Sequence, residues 1–205
     1  GQGGLQPSGR MFPRLRDECF VWTGLAARFP ASRLFGRMDR RWADPRQPAR
    51  VDWIPGAFVF LPADVFRRLG GFDERFFMYY EEVDFCRRLR SLGLQVHYDP
   101  ALSACHLGGA SARTVAGEAV SDSGGQLEAW RMRSALLYYR KHHGALGALG
   151  LHALERGWHL LRAAKARLQG RAAQVQRLVH HTRRDRKSTR LNSSHSQQSR
   201  MPSSA

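Results

Sequence analysis

The sequence predicts an α/β fold for the first part of the chain and a basic amphipathic helix after it. Between residues 51 and 106, short strand-like segments alternate with segments whose apolar side chains recur at helical spacing. From Leu151 onward, apolar side chains repeat every three, four or seven residues, and arginines occupy positions between them. At 205 residues the chain has the size of a single domain. We therefore expect one α/β core followed by a helical segment.

Three strands are predicted in the core. Residues 51–54 and residues 57–61 have the composition of strands and flank a turn at Pro55-Gly56. Residues 94–98 alternate as a half-buried strand does. Three strands are too few to cover both faces of an α/β core, so we expect one sheet edge to stay open to association.

Two helices are predicted between these strands. The first begins near Pro62 and ends at the Gly70-Gly71 pair. The second covers residues 81–92 and stops before Gly93. Its apolar positions are spaced by three residues: Val83, Cys86, Leu89 and Leu92.

The start of the second helix is the most unusual part of the sequence. Glu81, Glu82 and Asp84 lie in its first turn, where the helix dipole and the unpaired amide hydrogens favour carboxylates. One interpretation is therefore a well-capped surface helix without chemistry. The aromatic run at residues 76–80 favours a second interpretation, because rings beside an acid exclude water and raise the pKa of a carboxylate towards that of a useful base.

The order of these motifs resembles the acceptor-side half of inverting family 2 glycosyltransferases, particularly rhamnosyltransferase-like members. The resemblance extends from about residue 5 to about residue 144. It implies a partial GT-A fold, an α/β architecture, and transfer of a sugar from a nucleoside-diphosphate donor to an acceptor hydroxyl with inversion, in bacterial cell-surface polysaccharide synthesis. The motifs that carry it are Trp53-Ile54-Pro55-Gly56-Ala57, Gly70-Gly71-Phe72-Asp73-Glu74, Phe77-x-Tyr79-x-Glu81-Glu82-x-Asp84-x-Cys86-x-Arg88, Gly93, Pro100 and His106.

The resemblance implies a general base at the start of the second helix. In the family, the second member of an acidic pair of the Glu-Asp type removes the proton from the acceptor hydroxyl, and this position matches Glu82. Because Glu stands where the family usually has Asp, the carboxylate is one methylene further from the backbone. Glu81 is therefore the alternative base, alone or together with Glu82, whereas Asp84 is expected to orient the helix or to bind an arginine.

Further contacts follow from the same resemblance. Trp53 and Gly56 are expected on the acceptor side, with the Trp53 indole stacked on a sugar ring. Asp73 and Glu74 are expected to accept hydrogen bonds from sugar hydroxyls. The alternatives are core packing for Trp53 and turn capping for Asp73. Arg133, early in the helix that follows a polar loop, is expected to bind phosphate oxygens, or else to belong to a solvated basic face.

His106 is the candidate metal ligand. The resemblance implies that a histidine at this position helps an Asp-x-Asp motif to hold a divalent metal, Mg or Mn, against the nucleotide diphosphate. A single histidine is alternatively a hydrogen-bonded core or surface residue. No Asp-x-Asp occurs in the chain. We therefore expect an amino-terminally truncated fragment that holds the acceptor wall and the base, lacks the donor pocket and is inactive alone.

Four regions are predicted along the chain. Residues 1–112 form the acceptor-side half of the catalytic domain, and residues 113–144 form a mobile loop with a closing helix. Residues 145–185 form the basic amphipathic helix, which lies either on an anionic membrane surface or against another protein surface. Residues 186–205 are low in hydrophobic side chains and without periodicity, so they are expected to be a disordered, non-native, adapter-derived tail.

Charge and cysteine usage bear on partners and location. Residues 1–110 carry 16 basic and 12 acidic side chains, whereas residues 111–205 carry 17 and 5. The predicted partners are a nucleoside-diphosphate sugar, a glycan or lipid-linked acceptor and a membrane surface, without specific nucleic-acid binding. Cys19, Cys86 and Cys105 form no closely spaced pair, which indicates a reducing cytoplasmic setting, including the inner face of the plasma membrane. The alternative function is a non-catalytic basic module that binds a membrane or nucleic acid.

Overall fold

A computed structural model describes residues 8–105 and 125–169 of the chain. The chain divides into two compact units, Gly1–Leu151 and His152–Ala205. The elements within the described residues are, in chain order, α1 (Leu15–Trp22), α2 (Leu25–Arg28), β1 (Ala49–Val51), α3 (Ala63–Arg68), α4 (Glu81–Ser91), β2 (Val96–Tyr98) and α5 (Gly125–Leu168).

The sheet of the first unit is small. β1 and β2 pair in antiparallel register, with Ala49 opposite Tyr98 and Val51 opposite Val96. A separate antiparallel bridge joins Arg10 to Trp53 and continues the pairing towards the amino-terminal segment. The predicted α/β class is therefore present in part, as a mixed helical fold with a two-stranded sheet in the described residues.

One predicted strand is wrong and another is displaced. Residues 57–61 form no strand, and Phe60 in this segment is 89% exposed. A strand needs a neighbour for its amide and carbonyl groups, and no other segment within the described residues pairs with this one. The strand predicted at residues 51–54 begins earlier and ends at Val51, because its pairing partner β2 reaches only from Val96 to Tyr98.

Helix α4 has the predicted bounds within one residue, and its entry is unusual. Tyr79 and Tyr80 have φ values of 66° and 68°, in the left-handed region that residues other than glycine seldom adopt. The chain therefore turns sharply just before Glu81. At the other end Gly93 has φ 77°, and glycine adopts this conformation without steric cost.

Helix α5 supplies much of the core of the first unit. It contains a break at Gly144, where φ is 70° and ψ is −171°. Met132, Ala135, Tyr138, Tyr139 and Leu151 lie on it and are buried with residues from three other parts of the chain. Those partners are Phe12, Phe76, Val83 and Cys86. The helix predicted after the polar loop is thus present, and its buried side chains pack against Val83 and Cys86 of α4.

The described part of the second unit is the continuation of α5 through Leu168. Glu155 is buried and lies 3.7 Å from His152 and 3.9 Å from His159, on the same helix. In the described residues, no helix combines the length and the apolar character needed to cross a membrane.

Candidate active site

A cleft opens beside the first turn of α4, with a volume of about 370 Å³. Glu82 is the acidic residue in its wall. The loop after β1, helix α3, the loop between α3 and α4, and helix α4 contribute the remaining surface, which is mostly apolar. The lining residues are Ile54, Gly56, Ala57, Phe58, Val59, Leu61, Phe66, Phe72, Phe85 and Cys86.

Burial makes Glu82 a stronger base than an exposed glutamate. The pKa of Glu82 is raised from 4.5 to about 7, chiefly by the loss of hydration on burial and in addition by the neighbouring Glu81 charge. The Gly56 amide and the Arg10 charge act in the opposite direction. Oε2 of Glu82 is buried and has no hydrogen-bond partner among the described residues. A carboxylate in this state can accept a proton near neutral pH.

Glu81 has a similar environment but a different position. Burial also raises the pKa of its carboxyl, and its Oε2 has no hydrogen-bond partner within the described parts of the chain. Glu81 does not line the cleft, whereas Glu82 does. The two acids are therefore adjacent in sequence but unequal in their access to a ligand.

The loop that leads into α4 is held by α1 and α5. The Tyr80 hydroxyl donates to Oε1 of Glu18 at 2.6 Å, and Glu18 is 1% exposed. The Ser134 hydroxyl on α5 donates to the Met78 carbonyl at 2.7 Å. These contacts keep Tyr80 in the left-handed conformation that places Glu81 and Glu82 at the start of α4.

The Tyr80→Phe variant is expected to lower the free energy of unfolding by about 1–3 kcal/mol, because the buried Glu18 carboxyl loses its hydroxyl donor. Tyr79→Phe is the control, since Tyr79 has the same backbone conformation but is 36% exposed, and we expect a change within about 0.5 kcal/mol. Urea unfolding at pH 7 measures both. Equal effects of the two variants would contradict a role for the Tyr80–Glu18 hydrogen bond.

Asp84 connects α4 to α5 through a buried cluster of charges. Its side chain is fully buried and receives Arg88 Nε at 2.8 Å, Lys141 Nζ at 2.7 Å and His142 Nε2 at 2.6 Å. Burial alone would raise the pKa of Asp84, but these hydrogen bonds outweigh it and lower the pKa. Arg88 also donates to the carbonyls of Leu69 and Gly71, at 2.6 and 2.8 Å. Asp84 thus binds an arginine, as predicted, and additionally anchors α5.

The structure places the other predicted acceptor contacts away from the cleft wall. The Trp53 indole N–H donates to the Met11 carbonyl at 3.1 Å, and its ring packs against the core. Asp73 accepts hydrogen bonds from Arg75 and lies 2.7 Å from Lys141, and the Arg75 guanidinium holds its pKa below the usual range. Glu74 is exposed. Of the predicted acceptor residues, Gly56 lies in the cleft together with Glu82.

The predicted phosphate ligand lies outside the cleft wall, since Arg133 is exposed on α5 and does not line the cleft. His106 lies outside the described residues. In the parts of the chain that the structure describes, no group of three or more His, Cys, Asp or Glu side chains is arranged to hold a metal ion.

The aromatic wall comes from residues that the sequence did not single out. The sequence pattern placed it at residues 76–80, but Phe76 is buried in the core and Phe77 packs edge-on against Trp130. The rings in the cleft are instead those of Phe58, Phe66, Phe72 and Phe85. Phe66 and Phe72 each pack on Phe85, with ring centroids 5.5 and 5.3 Å apart. The recurrence of phenylalanine on both sides of the Gly70-Gly71 turn was the available signal.

Arg10 is a second residue near the site that the sequence did not indicate. Its guanidinium pairs with Asp39, lies 5.8 Å from the centroid of the Trp53 ring and acts electrostatically on Glu82. It reaches this position through the backbone bridge between Arg10 and Trp53. A single arginine in an amino-terminal loop gives no local signal of such a contact.

Comparison with known proteins gives matches that each cover 56 residues, which is 27% of this chain. One match is 45% identical to "Rhamnosyltransferase WbbL" of Escherichia coli (strain K12) and covers 21% of that protein. Further matches are 39% identical to "N-acetylglucosaminyl-diphospho-decaprenol L-rhamnosyltransferase" of Mycobacterium tuberculosis (strain ATCC 25618 / H37Rv) and 36% identical to "Low-salt glycan biosynthesis hexosyltransferase Agl10" of Haloferax volcanii, covering 18% of each.

The matches thus each span about a fifth of the length of these curated relatives. No protein-family model matches the chain. No solved structure matches it. The similarity to proteins named rhamnosyltransferase and hexosyltransferase supports the prediction of a glycosyltransferase.

Proposed function

We propose that this chain forms the acceptor side of an inverting family 2 glycosyltransferase, of the GT-A type, in cell-surface glycan synthesis. The observation that carries the proposal is Glu82, a half-buried carboxylate at the start of α4 that faces an apolar cleft. Similarity to named rhamnosyltransferases supplies the reaction class. The sugar donor is a nucleoside-diphosphate sugar, and the residues described here act on the acceptor.

Glu82 acts as the general base in this proposal. As the acceptor oxygen attacks the anomeric carbon, a bond forms between them and the bond to the nucleoside-diphosphate oxygen breaks. The acceptor proton moves to the Glu82 carboxylate, and the negative charge leaves with the diphosphate. A carboxylate with a pKa of about 7 is suited to this step near neutral pH. Glu81, buried beside it, keeps that pKa high and is the alternative base.

The cleft suits an acceptor with a large apolar surface. Among the described residues, four phenylalanine rings and four aliphatic side chains surround the Glu82 carboxylate. Apolar walls bind the face of a sugar ring or a hydrocarbon chain, while the acid selects for a hydroxyl. The Mycobacterium tuberculosis relative is named for an acceptor linked to decaprenol through a diphosphate. We therefore propose a lipid-linked sugar as the acceptor.

The proposal includes further contacts outside the cleft. The Trp53 indole N–H and the Asp73 carboxylate already have polar partners, and neither residue lines the cleft. Glu74 does not line the cleft either. These three residues therefore contact an acceptor at a distance from the hydroxyl that reacts. Arg133 is exposed and free of the cleft wall, and it remains the proposed phosphate ligand. A divalent metal held by His106 also remains a proposal, and the described residues do not supply a set of ligands for it.

The pH dependence of transfer provides the test. We expect kcat/KM to rise about tenfold per pH unit up to about pH 7 and then to level off, because the base acts only when deprotonated. The assay uses a chimera in which residues Gly1–Leu151 replace the corresponding part of the Mycobacterium tuberculosis rhamnosyltransferase. Initial rates are measured from pH 5 to 9 with a radiolabelled nucleotide sugar and a prenyl-linked acceptor.

A matched control distinguishes protonation of the Glu82 base from any other loss of activity at low pH. Asp64→Asn removes an exposed carboxylate of α3 that does not line the cleft, and it should leave the pH profile unchanged. A flat profile between pH 5 and 8 in an active chimera would contradict Glu82 as base. A chimera that folds, binds the acceptor and transfers no sugar at any pH would contradict the proposed function itself.

A further inference from the structure

The second unit exposes the apolar side of its helix. Leu160, Leu161 and Leu168 are 64%, 67% and 90% exposed, respectively. On the same helix, the charged Glu155 is 4% exposed and the small Ala166 is 5% exposed. A helix that only completes a protein core shows the reverse pattern, with large apolar residues inside and charges outside. The exposed leucines therefore need another explanation.

The exposed apolar residues share one face. With 3.6 residues per turn, Leu160, Leu161, Leu168 and Ala164 fall within an arc of about 100°. Arg156 and Arg167 lie along one edge of that arc, and Lys165 lies along the other. We call this surface the leucine face. Its centre is apolar, and its margins carry flexible cationic side chains.

The charge around the leucine face has one sign. Residues 152–169 contain a single acidic residue, Glu155, which is buried. Arg162, Lys165 and Arg167 are exposed. The exposed charged side chains of this segment are thus all basic. A partner of the leucine face must therefore offer both an apolar interior and anionic groups around it.

We propose that the leucine face docks on the surface of an anionic lipid bilayer. The leucines enter the boundary between headgroups and acyl chains, while the basic side chains on both margins extend to lipid phosphates. A second copy of the chain fits less well, because pairing two leucine faces brings arginine and lysine margins together. Nucleic acid satisfies the cations but offers no apolar medium for the leucines. This inference is independent of the proposed sugar transfer.

Vesicle co-sedimentation of the full chain is the test. Vesicles of phosphatidylglycerol mixed with phosphatidylcholine are compared with pure phosphatidylcholine vesicles at 150 mM salt. We expect binding at least about tenfold stronger to the anionic vesicles, since each basic residue near such a surface adds attraction. Residues 170–205 carry further arginines, so charge alone does not identify the surface that binds.

The leucine variants identify it. L160S/L161S is expected to weaken binding to anionic vesicles at least about tenfold. The matched control is L34S/L102S, which removes two leucines that are 45% and 56% exposed elsewhere on the chain. L160M/L161M keeps the apolar surface and should restore binding. Because the replaced leucines are exposed, circular dichroism should be unchanged in all three variants.

Reversing charges on the margins of the leucine face tests the contribution of its basic side chains to lipid binding. K165E/R167E reverses one exposed charge on each margin and should weaken binding to anionic vesicles about tenfold or more. R67E/R68E makes the same change in net charge on α3, at two exposed positions, and should have a smaller effect. The inference is overturned if the full chain does not bind anionic vesicles, or if L160S/L161S binds them as the unchanged chain does. It is also overturned if light scattering shows a dimer that L160S/L161S dissociates while vesicle binding persists.

Discussion

Glu82→Gln is expected to lower sugar transfer by about 10²–10⁴-fold, which is the usual contribution of a general base. Glutamine has the size and shape of glutamate, so the cleft keeps its form and its apolar walls. It cannot accept the acceptor proton, because an amide is not basic near neutral pH. The loss should therefore appear in kcat, with little change in the affinity for the acceptor.

The fold should tolerate this change, and its pH dependence gives an independent check. The folded pKa of Glu82 is raised from 4.5 to about 7, so the protonated form is favoured in the folded state. The stability associated with this proton is present below pH 4.5 and is lost as the pH rises to about 7. We expect the Gln variant to match the unchanged chain near pH 4 and to be at least as stable at pH 8, in urea unfolding.

Glu81→Gln is the matched comparison for catalysis. It removes a neighbouring carboxylate of the same helix turn that does not line the cleft. We expect a smaller loss of rate and a Glu82 pKa closer to the ordinary value, because the like charge that raises it is gone. Full turnover of the Glu82 variant, or a larger loss in the Glu81 variant, would exclude Glu82 as the base.

Asp84→Ala is expected to lower the free energy of unfolding by about 3–5 kcal/mol, the range typical of a broken buried ion pair. The substitution leaves Arg88, Lys141 and His142 without the carboxylate that lies 2.6–2.8 Å from each of them. Arg88 and Lys141 keep other acceptors, at Leu69, Gly71 and Asp73, but the buried charge is no longer balanced. Urea unfolding at pH 7 measures the loss.

Two further variants test whether the loss of stability in Asp84→Ala comes from the missing carboxylate charge. Asp84→Asn keeps the shape and one acceptor oxygen, so we expect a smaller loss of about 1–3 kcal/mol. Asp64→Ala removes an exposed aspartate of α3 and should change stability by less than about 0.5 kcal/mol. Because the pKa of Asp84 is lowered in the folded state, its contribution is present above the unfolded value of 3.8 and is lost at lower pH. An Asp84→Ala loss no larger than that of Asp64→Ala would contradict the role of this cluster.

The helix and its acids were predictable because their signals are local. The spacing of Val83, Cys86 and Leu89, with Gly93 after them, indicated α4 within one residue of its observed end. The position of Glu82 in the first turn followed directly. The sequence also predicted that aromatic rings near this acid would exclude water and raise its pKa, and the pKa of Glu82 is raised.

The aromatic wall was not predictable from the same stretch. Residues 76–80 are adjacent to the acids in sequence, but the left-handed turn at Tyr79 and Tyr80 directs that run towards α1 and α5. The rings that line the cleft come from two separate loops, from α3 and from α4. Residues 57–61 had the composition of a strand, yet their environment is decided by the absence of a pairing partner in the described chain.

By itself, the sequence determined the helix that carries Glu82, the resemblance to a glycosyltransferase and the basic amphipathic character of the second unit, because each depends on residues a few positions apart. Only the tertiary structure decided which rings surround Glu82, which cations meet Asp84 and which face of the last helix is exposed. The pair of Asp84 and His142, 58 residues apart, shows why. Such contacts depend on how the helices pack together, and the spacing of residues within one helix does not specify them.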